Sequence, residues 1–482
     1  MAHNEPKSNS ERRTTPKSDV FREYIGSQWA EREDAVPALR AAAEVAASRR
    51  AALSAQYPGE RLVVAAGATK QRSNDTDYPY RAHSAFSWLT GWGSDSEPGA
   101  VLVFEPNTGA PGGHDVTLYF RERAGRDSDE FYANPEIGEF WIGPRPSLSQ
   151  VAADLGLATK HIDELTTALG NKTKTRTLNH GSVDDDQLTR DLSEARLVKD
   201  DWEIEQMRLA VAATALGFND IVRVLPAIAG NQRGERMIEG AFASRARLEG
   251  NGVGYDTIAA AGEHACILHW TRNDGTVKAG ELVLIDAGIE LESLYTADIT
   301  RTLPVSGTFT AVQRKVYEAV LEAADAAFAI VRPGIQFKDV HAEAMRVIAE
   351  RTAEWGLLPV SAEESLAADA GYHRRYMVHG TCHHLGLDVH DCAQARREMY
   401  MEGVLEAGMV FTIEPGLYFQ PDDLTVPEEL RGIGVRIEDN ILVTAEGAEN
   451  LSVGIPRTVS AVEAWLKPYV AAARLASAKK KR

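Results

Sequence analysis

The chain has 482 residues and a formal net charge of −18, with 44% of its residues hydrophobic and 25% charged. That length exceeds one ordinary core and predicts two or three domains, and the acidic balance argues against a nucleic-acid partner, which would need a basic face. Three cysteines, Cys266, Cys382 and Cys392, form no CxxC pair and no disulfide framework, as expected for reduced thiols in a cytoplasmic protein. Neither an apolar leader nor a run of eighteen apolar residues occurs, so no membrane span is expected.

Residues 1–34 read as an extension, disordered over its Ser-, Thr-, Lys- and Arg-rich start. An α/β domain is expected over 35–195. It opens with an alanine-rich helix from Pro37 that stops before Pro58-Gly59, and continues through β-like runs at 62–66, 101–104 and 116–120 and a helical segment near 147–155. Within it the stretch 76–92 is strongly aromatic. Tyr78, Tyr80, Phe86, Trp88 and Trp92 are most simply core residues and a turn, with a substrate or subunit surface as the sharper alternative.

The domain boundary is placed near 193–201. Beyond it, 202–225 carries a helical stripe of Ile204, Met207, Val211, Phe218 and Leu225, and further helices are expected over 311–331 and 337–355. Strand-like runs at 282–285, 299–303, 409–413 and 434–437 alternate with them, so the second domain, 196–465, is α+β. The basic tail 466–482 is expected to fray. No internal repeat is found.

Chemistry concentrates in the run HGTCHHLGLDVH over 379–390, which holds four of the chain's 13 histidines in twelve positions. Imidazole is the commonest metal ligand and the natural proton-transfer group near neutral pH, although a histidine-rich surface loop would look the same in isolation. Cys382 is conceivable as a nucleophile, but a semi-buried thiol is the commoner case. Carboxylates elsewhere sharpen the reading. The strand LVLI ends in Asp286, the strand VFTI in Glu414 and the strand GVRI in Glu438, while Asp298 follows a hairpin and can face Asp286 across paired strands. A carboxylate in an apolar strand is costly unless a cation neutralises it, and a structural salt bridge could serve for any one of them. For four such acids plus a histidine cluster, a shared metal centre is the economical account. Oxygen ligands with one imidazole suit Mn, Co, Zn or Fe(II), and the set suffices for two ions about 3.5–4 Å apart with an acidified bridging water. No Walker loop, HExxH or GxSxG elbow occurs.

In YPYRAHSAFSWLTG, CILHWT, LVLIDAG, ADITRTLPVSG, HGTCHHLGLDVHD, MVFTIEPGLY and RGIGVRIEDN, in that order, the sequence resembles the pita-bread metallopeptidases and among them the aminopeptidase P family. The resemblance spans about residues 35 to 465. It implies an α+β fold, a creatinase-type N-terminal domain followed by a pita-bread catalytic domain, and two divalent ions, Mn2+ before Co2+ or Zn2+. Their ligands would be Asp286, Asp298, His383, Glu414 and Glu438, with Asp298 and Glu438 bridging. The implied reaction is attack of a metal-bridging hydroxide on the bond between an N-terminal residue and a following proline, with Glu414 accepting and later donating the proton. His269 and His390 would hold substrate and oxyanion, His379 would line the proline pocket, and Arg436 would anchor the site. Tyr418 and Trp88 are weaker substrate contacts, and His384, where the family often has an aromatic residue, is assigned to packing. Asp286 and Asp298 stand twelve apart, one more than the family's spacing, and the hairpin turn GIELESLY is expected to absorb the extra residue.

The resemblance further implies short or unfolded peptides as substrates, a homo-oligomeric dimer or tetramer, and no nucleic-acid or membrane partner. Three alternatives stay in view. Prolidase would use the same ligands on Xaa-Pro dipeptides. Creatinase, of the same fold, lacks this ligand set. A non-catalytic pita-bread binding protein would typically have lost ligands that are complete here.

Overall fold

Capping chemistry sets several helix starts. Ser147 with Gln150, Asp200 with Glu203 and Thr310 with Gln313 each close a reciprocal capping box, in which the cap and the third helical residue satisfy one another's backbone N–H. The structure, a computed structural model, describes residues 15–32, 34–74, 76–170 and 173–480, and divides into two units, Met1–Asp185 and Asp186–Arg482.

The first unit contains α1 (Asp19–Gly26), α2 (Ala42–Gln56), β1 (Arg61–Ala65), α3 (Ser84–Thr90), β2 (Val101–Pro106), β3 (His114–Phe120), α4 (Leu148–Leu155), β4 (Ala158–His161) and β5 (Thr175–Leu178). Five strands form one mixed sheet in the order β4-β3-β2-β1-β5. Its centre is antiparallel, β1 to β2 and β2 to β3, while β4 and β5 add in parallel at the two edges.

Part of the extension expected to be disordered belongs to this fold. Ser18 caps α1, Arg22 pairs with Asp129 at 2.7 Å, and Trp29 meets Phe131 edge-on at 5.7 Å, contacts that offset the ordering entropy the composition alone suggested would win. Residues 1–14 lie outside the described residues. The aromatic stretch builds α3 and its flank, with Phe86, Trp88 and Trp92 buried and Tyr78 half exposed. Trp88, a candidate substrate contact, is a core residue of this unit, 6% exposed with the Arg49 guanidinium 5.1 Å above its ring.

The second unit begins ten residues before the expected boundary, because α5 (Asp186–Ala195) packs with it. Glu194 pairs with Arg396 at 2.7 Å, and Ser193 Oγ accepts from the backbone N–H of Gln394. There follow α6 (Asp201–Ile228), α7 (Gly234–Glu249), β6 (Ile258–Ala261), β7 (Leu282–Ala287), β8 (Ile299–Pro304), α8 (Ala311–Ile330) and α9 (Phe337–Glu354). The unit ends with β9 (Val410–Ile413), β10 (Gly416–Tyr418), β11 (Gly434–Arg436), β12 (Asp439–Val443), β13 (Ala448–Asn450) and α10 (Val459–Lys480). The tail expected to fray is helical through Lys480. Helix α6 is long and apolar enough to cross a membrane by composition, but its Met207, Phe218, Ile221 and Leu225 are buried in the unit's core.

Three antiparallel sheets matter for the site: β8-β7-β6, β9-β12-β13 and the pair β10-β11. All residues of β7 and β8 are buried, so any polar group they carry must find its partner inside.

Candidate active site and metal centre

A cavity of about 480 Å³ in the second unit is lined by Asp286, Asp298, His383, Glu414 and Glu438, and also by His269, His379, His390 and Arg436. Residues separated by up to 169 positions in sequence thus meet at one place, and strand register explains how. Asp286 pairs with Thr300 across β7 and β8, so Asp298, two residues earlier, lies diagonally across on the same face. The register continues unbroken through the Glu290–Thr296 bridge to Leu291 N–H donating to Tyr295 O at 2.9 Å. No bulge intervenes. The twelve-residue separation is taken up by a three-residue turn, whose last member, Leu294, adopts φ +71°. Gly288 is required beside it, since a Cβ there would stand 1.7 Å from Ala297 O. Glu438 occupies the break between β11 and β12, and Arg436, two residues before, shares its face.

Asp298, His383 and Glu438 can each offer a ligand atom within 4.8 Å of the others. His383 Nδ1 lies 3.1 Å from the His384 carbonyl, which makes Nδ1 the N–H and turns the Nε2 position toward Asp298 Oδ2 (3.2 Å) and Glu414 Oε1 (3.6 Å). A second imidazole, His390, meets the His383 ring edge-on at 4.5 Å. The Tyr255 hydroxyl lies 2.6 Å from Asp286 Oδ1 and 2.5 Å from Asp298 Oδ1. Thr300 donates to Glu438 Oε2 at 2.6 Å, whereas Glu438 Oε1 is buried with no hydrogen-bond partner among the described residues. Arg436 donates to Asp286 Oδ2 at 2.5 Å, to Tyr418 Oη at 3.1 Å and to Thr300 Oγ1 at 3.1 Å. His379 Nδ1 donates to Gly380 O, which leaves Nε2 to accept from the Tyr418 hydroxyl at 2.8 Å.

The electrostatics match a cation site. Burial, reinforced by the charges of Asp298, Glu414 and Asp286, holds the Glu438 carboxyl well above the ordinary carboxylate range. Burial also raises Asp286, and pushes Glu414 up to about 7. It would raise Asp298 too, but hydrogen bonds from His383 and Tyr255 outweigh it and bring that group down. Burial opposes a charged His383, yet Asp298 and Glu414 overcome it and raise the imidazole to about 9. Four carboxylates thus line one cavity with His383, with the Arg436 guanidinium nearby, and one carboxylate oxygen among them is buried with no hydrogen-bond partner among the described residues. This donor set fits hard or borderline divalent cations.

Tyr255, Thr300 and Asn440 were not read from the sequence. Thr300 was legible, because Asp298, Thr300 and Thr302 alternate as one polar face of a buried strand. Asn440 accepts from the Asp298 backbone N–H at 3.2 Å, and Tyr255 stands in a glycine-flanked loop; neither follows a periodic pattern. His384 stacks on Phe337 at 4.5 Å and meets Tyr400 edge-on. Cys382 lines the cavity, but burial pushes its thiol up to about 12, so it stays protonated and a poor nucleophile.

Residues 205–445 match Metallopeptidase family M24, and residues 46–179 match the Aminopeptidase P, N-terminal domain. Xaa-Pro aminopeptidase 1 of Streptomyces coelicolor is 50% identical over 465 residues, 93% of this chain and 92% of its own length. Among solved structures, the Pseudomonas aeruginosa aminopeptidase PepP matches with a TM-score of 0.77 at 32% identity, covering 91% of this chain and 99% of its own. A zinc-substituted Escherichia coli aminopeptidase P in complex with product matches at 0.75 and 31%, over 88% and 98%. The chain belongs to the M24 metallopeptidases, a family of pita-bread hydrolases, and within them to the Xaa-Pro aminopeptidases. It is an enzyme that hydrolyses the bond between an N-terminal residue and the proline after it.

Proposed function

We propose that this activity is carried by the cavity of the second unit, with two divalent metal ions held by Asp286, Asp298, His383, Glu414 and Glu438. The observation that carries the reading is the convergence of four carboxylates with His383 in one cavity, with Glu438 Oε1 buried and without a hydrogen-bond partner among the described residues. Asp298 and Glu438 would be shared, Asp286 completing one site and His383 with Glu414 the other. Bound there, divalent metal supplies Lewis-acid polarisation of the scissile carbonyl and acidifies water.

The chain's own side chains orient the peptide and move the proton. Glu414 accepts a proton and returns it to the leaving prolyl nitrogen. His269 and His390 hold the substrate and donate to the carbonyl oxygen as negative charge develops on it. Burial and the nearby Arg436 depress His379 to about 3. It is therefore neutral and lines the proline pocket without adding charge, while the buried Tyr418 holds it from behind rather than lining the cavity. Arg436 fixes Asp286 through one N–H and Tyr418 through another.

Manganese is the proposed metal, with cobalt and zinc accommodated by the same donors. The substrates are short or unfolded peptides, which a cavity of about 480 Å³ can admit end-on. A homo-oligomer, dimer or tetramer, completes the proposal. A cytoplasmic setting is supported by three free cysteines.

The test is release of the first residue from an Xaa-Pro-Yaa tripeptide and from an Xaa-Pro dipeptide, after chelation and after restoring Mn2+. Tripeptide cleavage lost on chelation and regained with Mn2+ is expected. Cleavage of the dipeptide alone would reassign the enzyme as a prolidase, and turnover unaffected by chelation would overturn the metal assignment.

A further inference from the structure

The histidine-rich loop closes over a buried ion cluster that the chemistry above does not use. Lys199 Nζ donates to Asp391 Oδ2 at 3.0 Å, with the two side chains 0% and 1% exposed. Arg196 Nη2 lies 3.2 Å from Asp391 Oδ1 and 3.4 Å from Asp388 Oδ2. Burial alone would raise the Asp391 carboxyl, but the two cations outweigh it and bring the group to about 2. Lys199 is itself anchored: Nζ donates to Arg196 O at 2.7 Å, its backbone N–H donates to Gly408 O at 3.0 Å, and Val198 bridges to Met409 beside β9.

On the other side of the pair the loop is wound tightly. Asp391 N–H donates to His384 O at 2.9 Å, and Gly386 N–H to Asp388 O at 3.1 Å. A Cβ on Gly386 would stand 2.6 Å from Asp391 Oδ2 and 2.8 Å from Lys199 Cε, so the loop backbone lies directly against the ion pair. Cys392 follows at φ +59°, a left-handed conformation that a non-glycine residue keeps only where its surroundings impose it.

His383 does not depend on this cluster for its place. Its N–H donates to Thr412 Oγ1 at 3.2 Å, and Thr412 N–H donates to His383 O at 2.9 Å, so β9 fixes it. His390 is different. Its imidazole lines the cavity and makes no hydrogen bond among the described residues, and its chain neighbour is Asp391. A carboxylate held by two cations from different directions has one orientation, whereas an apolar pair of the same volume has none. We propose that Lys199, Arg196 and Asp391 are positioning residues that set His390 against the reacting carbonyl. The charges, beyond the packing, do this.

The proposal rests on reading the cavity as the peptidase centre, and the wild-type enzyme is the control that separates the two: no turnover by wild type defeats that reading, whatever the variants do. Arg196→Met, Lys199→Met and Asp391→Leu combined remove all three charges while keeping a filled core, an exchange that is often neutral for stability. Assayed on an Xaa-Pro-Yaa tripeptide, the triple variant is expected to keep the wild-type Tm and Mn2+ stoichiometry while kcat falls about 100-fold. A kcat equal to wild type at an unchanged Tm overturns the proposal, because packing alone would then suffice. Should the triple variant not fold, Arg196→Gln decides, since it leaves the Lys199–Asp391 bond in place. It is expected to lower kcat about tenfold with Mn2+ stoichiometry unchanged, and an unchanged kcat overturns the proposal equally.

Discussion

Glu438 has one carboxylate oxygen satisfied by Thr300 and the other buried with no partner among the described residues, an arrangement that a fold selected for stability alone would not keep. Burial and the charges of Asp298, Glu414 and Asp286 raise its folded-state pKa well above its unfolded value. The metal-free native state therefore holds a proton that the unfolded chain releases. The associated stability is fully present below the unfolded pKa of about 4.3 and is lost as pH rises toward the folded value. Glu438→Gln removes this titration. The chelated variant is expected to be more stable than chelated wild type at pH 8, with the gap closing as pH falls toward 4.3, measured by urea denaturation. The same substitution removes a proposed metal ligand, so Mn2+ affinity should fall by more than the roughly 10–100-fold typical of losing an outer hydrogen-bond partner. A variant that is no more stable at pH 8 and binds Mn2+ as wild type does would remove Glu438 from the centre.

Strand β8 works on both faces. Thr300 and Thr302 turn to the site, bonding Glu438 and the Arg436 carbonyl, while Arg301 between them is fully buried on the opposite side. All five of its N–H donors are used: Thr300 O, Glu438 O, Asp439 Oδ1, Ile455 O and Pro456 O accept at 2.7–3.0 Å. One guanidinium thus ties β8 to the backbone of Glu438 and to the chain leading into α10. Arg301→Met leaves Asp439 short of its main partner and is expected to destabilise the fold by about 3–5 kcal/mol; a urea midpoint within error of wild type would refute this role. The threonine face was legible in the sequence as strict alternation, and so were β7, β9 and the carboxylates ending their apolar runs. Arg301 was not, because a charge in the middle of a strand gives no sign of which carbonyls will meet it. Helix α7 was missed although Ile238, Phe242 and Ala246 repeat at four-residue intervals, since the surrounding Glu and Arg residues dilute the stripe. The ordering of 19–26 was invisible for a similar reason: its partners, Asp129 and Tyr132, lie a hundred residues away.

At the scale of the whole chain, every proposed metal ligand lies between Asp286 and Glu438, inside the second unit, although the first unit has its own sheet and its own buried core around Val63, Val103 and Tyr119. The sequence made this division legible through a change of pattern, and misplaced it by ten residues because α5 carries few apolar residues to show where it packs. The consequence is energetic. A ligand that binds only the native state stabilises it by mass action, about 2.7 kcal/mol at a hundredfold excess over Kd, and the stabilisation appears wherever opening would break the site. Hydrogen exchange on the intact, chelated protein should therefore respond to Mn2+ in a restricted pattern. Protection is expected to rise in β7, β8, β9 and β11, whose ends carry Asp286, Asp298, Glu414 and Glu438. In β1, β2 and β3 it is expected to stay the same. A rise confined to the first unit, or none in β7 and β8, would show that Mn2+ binds elsewhere and would break the link between these four carboxylates and the metal.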